Sequence, residues 1–424
     1  MHVSFSYPDV PALETPDSCE AVVLSPLAAG PLQPAEALAE EALVRPTGHA
    51  PIENYVLSST RILILVDDIT RQTPAAAILP PLLRRLASRG ARSKNVRFLI
   101  AAGTHSRMSA AEIEKKLGAE IPRNYSVTLH HWKDEGQLVQ IGTAEDGTPI
   151  RVNRMLKESD LVIGVGQIVP HRVMGFTGGA TIVQPGVSGK EITGYTHWRS
   201  ALFAGEEILG RAENPVRKEV ERMAALAGLK FILNVVMDAE FNVLHVVAGD
   251  PVAAHRRGAH LSSQIYGVPL AAPADIVITE SYPADYDLWQ AAKGIYAAEL
   301  AVKPGGMVII VTPCPHGVSE EHQEVERLGY RGFTEVKALV DEKQITDLVA
   351  AAHLVHVGRV IRDKARGIMV SPGIQPDVQR HLGFEPARTP QEAFEKALSL
   401  TGPNATVAVL RHGGDVLPVV NQKL

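Results

Sequence analysis

Residues 61–74 read RILILVDDITRQTP, and this stretch decides the fold class. The apolar run Arg61–Val66 is followed at once by a polar loop. A continuous apolar run, rather than an alternating one, is typical of a strand buried on both faces, as in a parallel sheet. The residues that follow, Ala75–Ser88, favour a helix, so the stretch predicts one strand–loop–helix unit.

The same pattern recurs and predicts an α/β fold with two domains, each with a mostly parallel sheet flanked by helices. We expect further strands at Val96–Ala101, Asp160–Val165, Phe231–Val236, Asp275–Thr279, Met307–Thr312 and Leu354–Val360. Glu240–Val247 is expected to form a hairpin with Phe231–Val236. We expect further helices at Pro34–Leu43, Ser109–Leu117, Leu288–Leu300 and Glu320–Leu328.

A linker-like stretch, Gly267–Pro273, separates the two series and sets a domain boundary near residue 270. We therefore expect an N-terminal α/β domain over 1–270 and a C-terminal α/β domain over 271–405. The remaining segment, 406–424, is expected to return to one of the two domains, with the N-terminal one favoured.

Composition excludes several classes of partner. The 424 residues carry 42 Lys and Arg against 47 Asp and Glu, a net charge of −5, without a long basic block. Nucleic acid and an anionic membrane are therefore not expected as partners, whereas a small anion, which needs only one local cation, is.

Two cysteines, Cys19 and Cys314, exclude a disulfide framework and a cysteine-ligated zinc site. They favour a reducing compartment, and we expect a cytoplasmic protein. The N-terminal residues lack the basic and apolar pattern of a signal peptide, and no apolar run reaches the ~18 residues of a membrane span.

Three predicted strands are each followed by residues that can carry chemistry. Asp67, Asp68 and Arg71 follow the first strand, His105 follows the second, and His171 lies after the third. Because ligands bind at the carboxyl ends of parallel strands, these groups meet at one edge if their strands are neighbours.

Imidazole suits proton transfer near neutral pH and the ligation of nickel, zinc or copper. Most of the 16 histidines have no such role; for His130, His131, His353 and His356 we expect ordinary surface or hydrogen-bonded core positions. His105, His171 and His197 stand apart because each follows an apolar run or lies in or near a glycine-rich loop.

Each remaining motif has a functional and a structural interpretation. Asp68 and Arg71 form either a loop ion pair or an arginine fork for a carboxylate, held by the aspartate. The run Gly175–Gly179 either turns its backbone N–H groups toward an anion or is a tight turn. Gln290 and Lys293 share a helix face, which is either solvated or a clamp for a carboxylate or hydroxyl.

Two phosphate-binding motifs are not supported. The P-loop pattern is absent, and Gly164–Val169 lacks the third glycine of a dinucleotide fingerprint.

Several segments together resemble one family, the nickel-pincer-dependent lactate racemases and related 2-hydroxyacid racemases and epimerases. The segments lie in family order over most of the chain: DDITRQTP at 67–74, AAGTH at 101–105, PHRVMGFTGGA at 170–180, PGVSGKEI at 185–192 with His197, and SYPADYDLWQAAK at 281–293.

The resemblance implies an active site between two α/β domains and a nickel-pincer nucleotide, a Ni(II)-pyridinium-3,5-bisthiocarboxylate mononucleotide. It implies that His197 ligates the nickel and that His105 and His171 are the catalytic acid and base. It places the cofactor beside Asp68, Ile69, Thr70, Arg71, Thr177, Gly178, Gly179, Thr181 and Pro185. It places the substrate beside Arg71, Trp289, Gln290 and Lys293.

The implied reaction inverts C2 of a small 2-hydroxycarboxylate. Transfer of the C2 hydrogen as hydride to an electron-poor ring avoids a carbanion, while one histidine takes the hydroxyl proton. A second histidine on the opposite side serves the mirror-image substrate. Cofactor-synthesis enzymes are the implied protein partners.

The sequence departs from the lactate racemase pattern at one position. Ala180 and Thr181 stand where the family has the lysine that links covalently to the cofactor, and Lys190 is too far along the chain to replace it. We therefore expect a cofactor held without a covalent bond. Malate, phenyllactate and aldonic acids remain open as substrates beside lactate.

Two other functions remain open from the sequence. His105, His171 and His197 could form a three-histidine site of a metal hydrolase with an open water position. Alternatively, the chain could be a non-catalytic protein that binds or carries a nickel nucleotide.

Overall fold

The structure is a computed structural model that describes residues 1–27, 32–104 and 108–420. His105 therefore lies outside the described residues. The chain divides into two compact units. The N-terminal unit comprises the described residues within 28–196 and 211–262, and the C-terminal unit comprises those within 1–27, 197–210 and 263–424.

The described residues form twenty strands. They are β1 His2–Val3, β2 Leu13–Glu14, β3 Glu20–Leu24, β4 Ile62–Asp67, β5 Val96–Ala101, β6 Ser126–Leu129, β7 Leu138–Thr143, β8 Pro149–Asn153, β9 Leu161–Gln167, β10 Pro170–His171, β11 Gly175–Phe176, β12 Leu229–Met237, β13 Val243–Gly249, β14 Gly267–Leu270, β15 Ala274–Glu280, β16 Val302–Val311, β17 Arg366–Val370, β18 Phe384–Pro386, β19 Thr406–Leu410 and β20 Leu417–Val420.

The same residues form fourteen α-helices. They are α1 Ala35–Val44, α2 Ala75–Ser88, α3 Ala110–Leu117, α4 Glu120–Asn124, α5 Lys190–Ser200, α6 Gly205–Ile208, α7 Pro215–Ala227, α8 Ala253–Tyr266, α9 Leu288–Ala301, α10 Gln323–Leu328, α11 Phe333–Asp341, α12 Leu348–Gly358, α13 Pro376–Leu382 and α14 Pro390–Thr401. Within the described part of the chain, no helix combines the length and apolar character needed to cross a membrane.

The N-terminal unit is built on a six-stranded sheet in the order β13-β12-β9-β4-β5-β6. All neighbours are parallel except β12 and β13, which form the expected hairpin. Every residue of β4 is buried, as its continuous apolar sequence predicts. Helix α2 packs Ile78, Leu82 and Leu86 into the same core as Ile64.

The strand order of this sheet reverses beside β4. The chain runs from β4 to β5 and β6 on one side, and β9 then pairs with the other side of β4. The strands β4, β5 and β9 are therefore neighbours, which is the condition for their loops to lie at one edge of the sheet. Ligands of open α/β sheets bind at the carboxyl ends of the strands at such a reversal, which draws attention to the loops after Asp67 and Gln167.

The C-terminal unit contains a second six-stranded sheet, entirely parallel, in the order β18-β17-β16-β15-β19-β3. Here the order reverses between β15 and β19. The segment that leads to Trp289, Gln290 and Lys293 begins directly after β15. Two domains with mostly parallel sheets flanked by helices confirm the predicted fold class.

The division of the chain differs from the predicted single boundary near residue 270. Residues 1–27 join the C-terminal unit because β3 pairs with β19 across a large sequence separation. Residues 197–210 join it too, so His197 does not belong with the N-terminal unit as expected. A pairing between distant segments leaves no local sequence signal.

The structure also corrects the prediction for the segment after residue 405. Strand β19 lies between β15 and β3, and β20 pairs with β14. The described part of this segment therefore belongs to the C-terminal unit rather than to the N-terminal one. Four of the five residues of β19 are buried, which a position inside a covered parallel sheet requires.

One predicted strand, Leu354–Val360, is wrong. These residues fall in helix α12 and the π-helical turn Arg359–Lys364 that follows it. The helix begins at the cap residue Asp347, whose carboxylate accepts hydrogen bonds from the backbone N–H groups of Val349 and Ala350. A helix buried on all sides shows the same continuous apolar run as a buried strand.

We predict that Ile64→Ala lowers stability strongly, because Ile64 is fully buried in the core of β4. Removing a buried isoleucine side chain costs about 2–5 kcal/mol through lost burial and a residual cavity. Thermal unfolding followed by circular dichroism measures the effect. The control is Leu57→Ala, at a leucine that is 70% exposed, which should leave the midpoint nearly unchanged. Equal midpoints for the two variants would contradict the described core.

Candidate active site

Asp67, the last residue of β4, fixes the loop that follows it. Its carboxylate accepts a hydrogen bond from the Thr73 hydroxyl and pairs with the Lys116 ammonium at 2.8 Å. Burial raises the pKa of the Asp67 carboxyl, and the Lys116 charge only partly opposes that rise. Lys116 also donates to the backbone oxygen of Arg71 at 2.7 Å, so it joins both ends of the loop.

The Asp68 carboxylate accepts hydrogen bonds from Thr70, whereas the backbone oxygen of Asp68 accepts from the Arg71 N–H at 3.2 Å. Asp68 Oδ1 accepts from the backbone N–H of Thr70 at 3.2 Å and from the Thr70 hydroxyl at 2.5 Å. The half-buried Arg71 guanidinium donates to Thr70 Oγ1 at 3.4 Å and, among the described residues, pairs with no carboxylate. Ile69 packs against the core of the unit. The loop thus presents a cation at the carboxyl end of β4 without a neutralising partner from the described residues.

The glycine-rich loop after β9 requires glycine at two positions. Gly178 and Gly179 have φ values of 75° and 59°, in the left-handed region that favours glycine. A Cβ atom at Gly178 would lie 2.6 Å from Ile168 Cγ1, and one at Gly179 would lie 2.9 Å from His255 Cδ2. Both glycines therefore have a structural reason that holds without a ligand.

A buried arginine holds the carbonyl groups of this loop. Arg217, from the first turn of α7, has no exposed surface. Its guanidinium donates to the backbone oxygens of Met174 at 3.3 Å, Gly178 at 3.2 Å and Phe176. Burial lowers the pKa of Arg217 to about 10, although the Glu221 charge opposes this. Three carbonyls that would otherwise be buried without partners are thereby satisfied.

Other side chains fix the rest of the loop. His255 Nε2 donates to the Thr177 oxygen at 3.0 Å, and burial keeps the pKa of His255 well below its usual value. The Thr177 N–H donates to Val169, and the Gly179 N–H donates to Asn234 Oδ1 at 2.8 Å. The N–H groups of Thr177 and Gly179 are therefore used within the protein itself.

His171 lies at the start of the loop in a defined orientation. Its Nδ1 accepts from the backbone N–H groups of Val173 and Met174, each at 3.3 Å. In this geometry the neutral ring has its proton at Nε2. The ring is half-buried, and it is the one catalytic histidine of the predicted pair that the structure describes.

The loop that begins at Pro185 meets the loop after β5. Gly103 donates its N–H to the Gly186 oxygen at 2.8 Å, which brings the AAGT and PGVSG segments together. The backbone oxygen of Ser188 accepts a hydrogen bond from His130 Nε2 at 3.1 Å. The side-chain amide of Asn153 donates to His130 Nδ1 at 3.3 Å. His130 is buried and hydrogen-bonded, as predicted for an ordinary core histidine.

The position expected to carry a tethering lysine has no amine. Ala180 is buried, and the half-exposed Thr181 donates its hydroxyl to the Gly178 oxygen at 3.1 Å. Lys190 is exposed at the start of α5.

In the C-terminal unit, His197 lies on the last turn of α5. Ser200 donates its hydroxyl to the His197 backbone oxygen at 2.6 Å and contacts His356 Nε2 at 3.1 Å. His356, on α12, is buried, as predicted for a hydrogen-bonded core histidine. A side chain from another helix thus supports the end of α5 that bears His197.

The three predicted substrate residues of this unit lie on helix α9. The helix begins after Asp287, whose Oδ1 accepts from the Gln290 N–H at 2.9 Å. Burial raises the pKa of the Asp287 carboxyl. Trp289 and Lys293 are one turn apart and therefore lie on the same side of the helix. Gln290 directly follows Trp289 in the sequence. All three side chains are half-buried.

The residues present fit a nickel-pincer nucleotide held without a covalent bond. Gln167 Oε1, at the reversal beside β4, is buried and has no hydrogen-bond partner among the described residues. A hydroxyl or amide N–H of a ligand would satisfy it. In the same unit, the Arg71 guanidinium has the charge and geometry to pair with a phosphate or carboxylate. In the C-terminal unit, the His197 imidazole is of a type that could ligate a metal held mainly by a cofactor's own atoms.

A metal site made only of protein side chains is not seen in the described part of the chain. No three His, Cys, Asp or Glu side chains cluster there. The three-histidine site considered above needs His105, which lies outside that part.

The sequence did not reveal three supporting residues: Lys116, Arg217 and His255. Each bonds a backbone oxygen of a loop that contains predicted site residues. Backbone acceptors carry no side-chain signature, so no motif marks their partners. The paired Lys115-Lys116 at the end of a predicted helix was the one available signal.

We predict that acid weakens the parent protein more than the variant His130→Gln. Burial lowers the pKa of His130 from 6.5 to about 4, so the unfolded chain binds more protons between these pH values. Stability from the neutral ring is therefore present above pH 6.5 and is lost as pH falls toward 4. Between pH 7 and 5 this loss is about 2 kcal/mol. Urea unfolding at both pH values measures it, and an equal loss in the variant would refute the assignment.

Comparisons with known proteins identify the family of this chain. The family model described as the lactate racemase N-terminal domain matches residues 9–207, and that described as the lactate racemase C-terminal domain matches residues 270–418. Lactate racemase of Lactiplantibacillus plantarum is 32% identical over 391 residues, covering 89% of each chain. Lactate racemase of Thermoanaerobacterium thermosaccharolyticum is 30% identical over 395 residues, covering 90% of each.

Solved structures show the same fold. The lactate racemase apoprotein of Thermoanaerobacterium thermosaccharolyticum superposes with a TM-score of 0.86 at 26% identity and covers 100% of both chains. A protein from Thermotoga maritima, 24% identical, shares the fold with a TM-score of 0.73 and covers 93% of this chain and 100% of its own. With both domain models and both curated relatives in agreement, the chain belongs to the lactate racemase family of isomerases.

Proposed function

We propose that this protein inverts C2 of a small 2-hydroxycarboxylate, as a racemase or epimerase, with a non-covalently bound nickel-pincer nucleotide. The observation that carries the proposal is the Arg71 guanidinium at the carboxyl end of β4, which pairs with no carboxylate among the described residues. A cation at the reversal point of an open sheet suits an anionic substrate or cofactor group.

The carboxylate of the substrate would be bound by Arg71 and Lys293, with Gln290 offering an amide to the hydroxyl. Fixing the carboxylate leaves the two enantiomers distinguished mainly by the side to which the hydroxyl points. This positioning allows one site to act on both hands of the substrate, as a racemase must.

His171 would handle the hydroxyl proton on one side. With Nδ1 accepting backbone N–H groups, the resting ring carries its proton at Nε2. Accepting a proton at Nε2 requires the ring proton to move to Nδ1. The two contacts oppose this only weakly, because 3.3 Å is at the long end of the hydrogen-bond range. His105 is proposed for the same task on the opposite side.

The loop carbonyls held by Arg217 and His255 keep His171 and Thr177 in place without a ligand. Such preorganisation lowers the cost of arranging the reacting groups. When bound, the nickel-pincer nucleotide would supply an electron-poor ring that takes and returns hydride at C2. His197 would be the protein's ligand to its nickel.

With only two cysteines in the chain, we place the protein in the cytoplasm. Its expected partners are the substrate and the enzymes that synthesise the cofactor.

We predict that His171→Ala and His105→Ala abolish racemisation while the nickel content stays near that of the parent. Both variants remove a proton-transfer group and no metal ligand. His197→Ala should lose nickel instead. The measurements are chiral chromatography over a panel of 2-hydroxyacids and elemental analysis of protein produced together with the cofactor-synthesis enzymes. Loss of nickel in all three would favour a three-histidine metal site over the proposal.

We also predict that the cofactor separates from the chain on denaturation. Neither Ala180 nor Thr181 carries an amine that could form the link. Mass spectrometry of the loaded protein under denaturing conditions should give the mass of the bare chain, whereas native conditions should give a heavier species. A denatured chain that keeps the added mass would overturn this part of the proposal.

A further inference from the structure

The indole of Trp289 lies between two imidazole rings. The His322 ring is stacked on one face at a centroid distance of 3.9 Å and an angle of 19°. The His353 ring is stacked on the other at 4.1 Å and 24°. These separations are contact distances for nearly parallel rings. Each face of the indole is therefore in contact with an imidazole ring.

His353 is held independently of Trp289. Its Nδ1 lies 2.8 Å from the Tyr296 hydroxyl, and its Nε2 lies 3.2 Å from the Tyr330 hydroxyl. Burial lowers the pKa of His353 to about 3, and the nearby His322 adds to this effect. The ring is thus neutral at physiological pH and has a hydrogen-bond partner at each nitrogen.

His322 is fixed from the other side. Its Nδ1 lies 2.7 Å from Asp347 Oδ2, and its backbone N–H donates to Ser319. Asp347 also caps α12, the helix that carries His353. The orientation of both imidazoles is therefore tied to the beginning of one helix.

Helix α9 connects this stack to the proposed substrate site. Trp289, Lys293 and Tyr296 are spaced by four and then three residues, which places them on one side of the helix. Lys293, proposed above to bind the substrate carboxylate, thus lies between two residues that both contact His353. A change in the stack would therefore alter the surroundings of Lys293.

We propose that His322 and His353 are positioning residues that leave Trp289 only its edge for the substrate, so that this enzyme selects 2-hydroxyacids with non-aromatic substituents. A flat aryl group cannot stack on an indole whose two faces are occupied. The inference rests on the proposed function, because it assumes that the substituent of a 2-hydroxycarboxylate reaches Trp289. The sequence left both lactate and phenyllactate open as substrates, and the stack favours the one without an aromatic ring.

The test uses His322→Ala, which uncovers one face of the indole while His353 stays in place. Aromatic stacking contributes about 0.5–1.5 kcal/mol, so we expect the preference for 3-phenyllactate over lactate to rise up to about tenfold. The ratio of kcat/KM values measures this preference in the loaded enzyme. The ratio of dissociation constants, obtained by calorimetry, measures it in the protein without cofactor. A role of His322 in folding alone would lower both activities without changing either ratio.

Two controls make the result specific. His316→Ala removes another stacked imidazole, whose ring lies 3.9 Å from the Tyr286 ring, and should leave the ratios unchanged because its stacking partner is Tyr286. In a Trp289→Leu background, His322→Ala should have no further effect, because its action passes through the indole. An additional change in that background would overturn the proposal.

Fluorescence tests the stack without any turnover. The emission of Trp289 is obtained as the difference between the parent and Trp289→Phe, since Trp132 and Trp198 also emit. We expect His322→Ala and His353→Ala each to change this difference spectrum, and His353→Phe, which keeps a ring in place, to preserve most of the stacking.

The outcomes distinguish the two proposals. A parent that racemises no 2-hydroxyacid refutes the proposed function, and the inference is then judged by the binding ratio and the emission. A parent that prefers 3-phenyllactate over lactate, or unchanged ratios in His322→Ala, refutes the inference while the proposed function stands.

Discussion

The parallel pairing of β4 with β5 on one side and β9 on the other is the constraint on which the N-terminal unit depends. The register of these pairs aligns the carboxyl ends of the three strands, and the loops that follow are the polar ones. Every residue of β4 is buried, so the whole strand contributes to the core of the unit. The position of Asp68 and Arg71 is thus set by the burial of residues that take no part in chemistry.

Buried polar side chains fix the conformation of the loops, which the strands alone do not determine. Arg217, His255 and Lys116 have little contact with water, and each satisfies backbone oxygens that would otherwise be stranded. Removing one partner from such a network leaves the other buried and unsatisfied, which costs more than the hydrogen bond itself contributes. The C-terminal unit follows the same principle with His353 and His356, which hold Trp289 and the end of α5. In both units, residues expected to touch a ligand are supported by residues that are not.

Short apolar runs and the residues after them were enough to predict the fold class and the neighbouring strands. Helix α2 begins and ends where its sequence predicts, because the polar loop before it and the apolar periodicity within it agree. The sequence failed where burial is uniform, as at Leu354, or where distant segments pair, as with β3 and β19. It marked His353 as an ordinary core residue, which its burial and hydrogen bonds confirm, but it gave no sign that the ring covers a face of Trp289. Such contacts depend on the packing of α9 against α12, which no local pattern records.

The chain passes from one compact unit to the other at four places, after residues 27, 196, 210 and 262. Neither unit is therefore a continuous piece of the polypeptide. A fragment cut near residue 270 would lack β3, and the outer edge of β19 would present its unpaired backbone groups to solvent. Exposed strand edges of this kind recruit other chains and promote aggregation. The gene consequently cannot be divided into two independently expressed halves at the apparent linker, and any dissection has to preserve the early strand together with the last third of the protein.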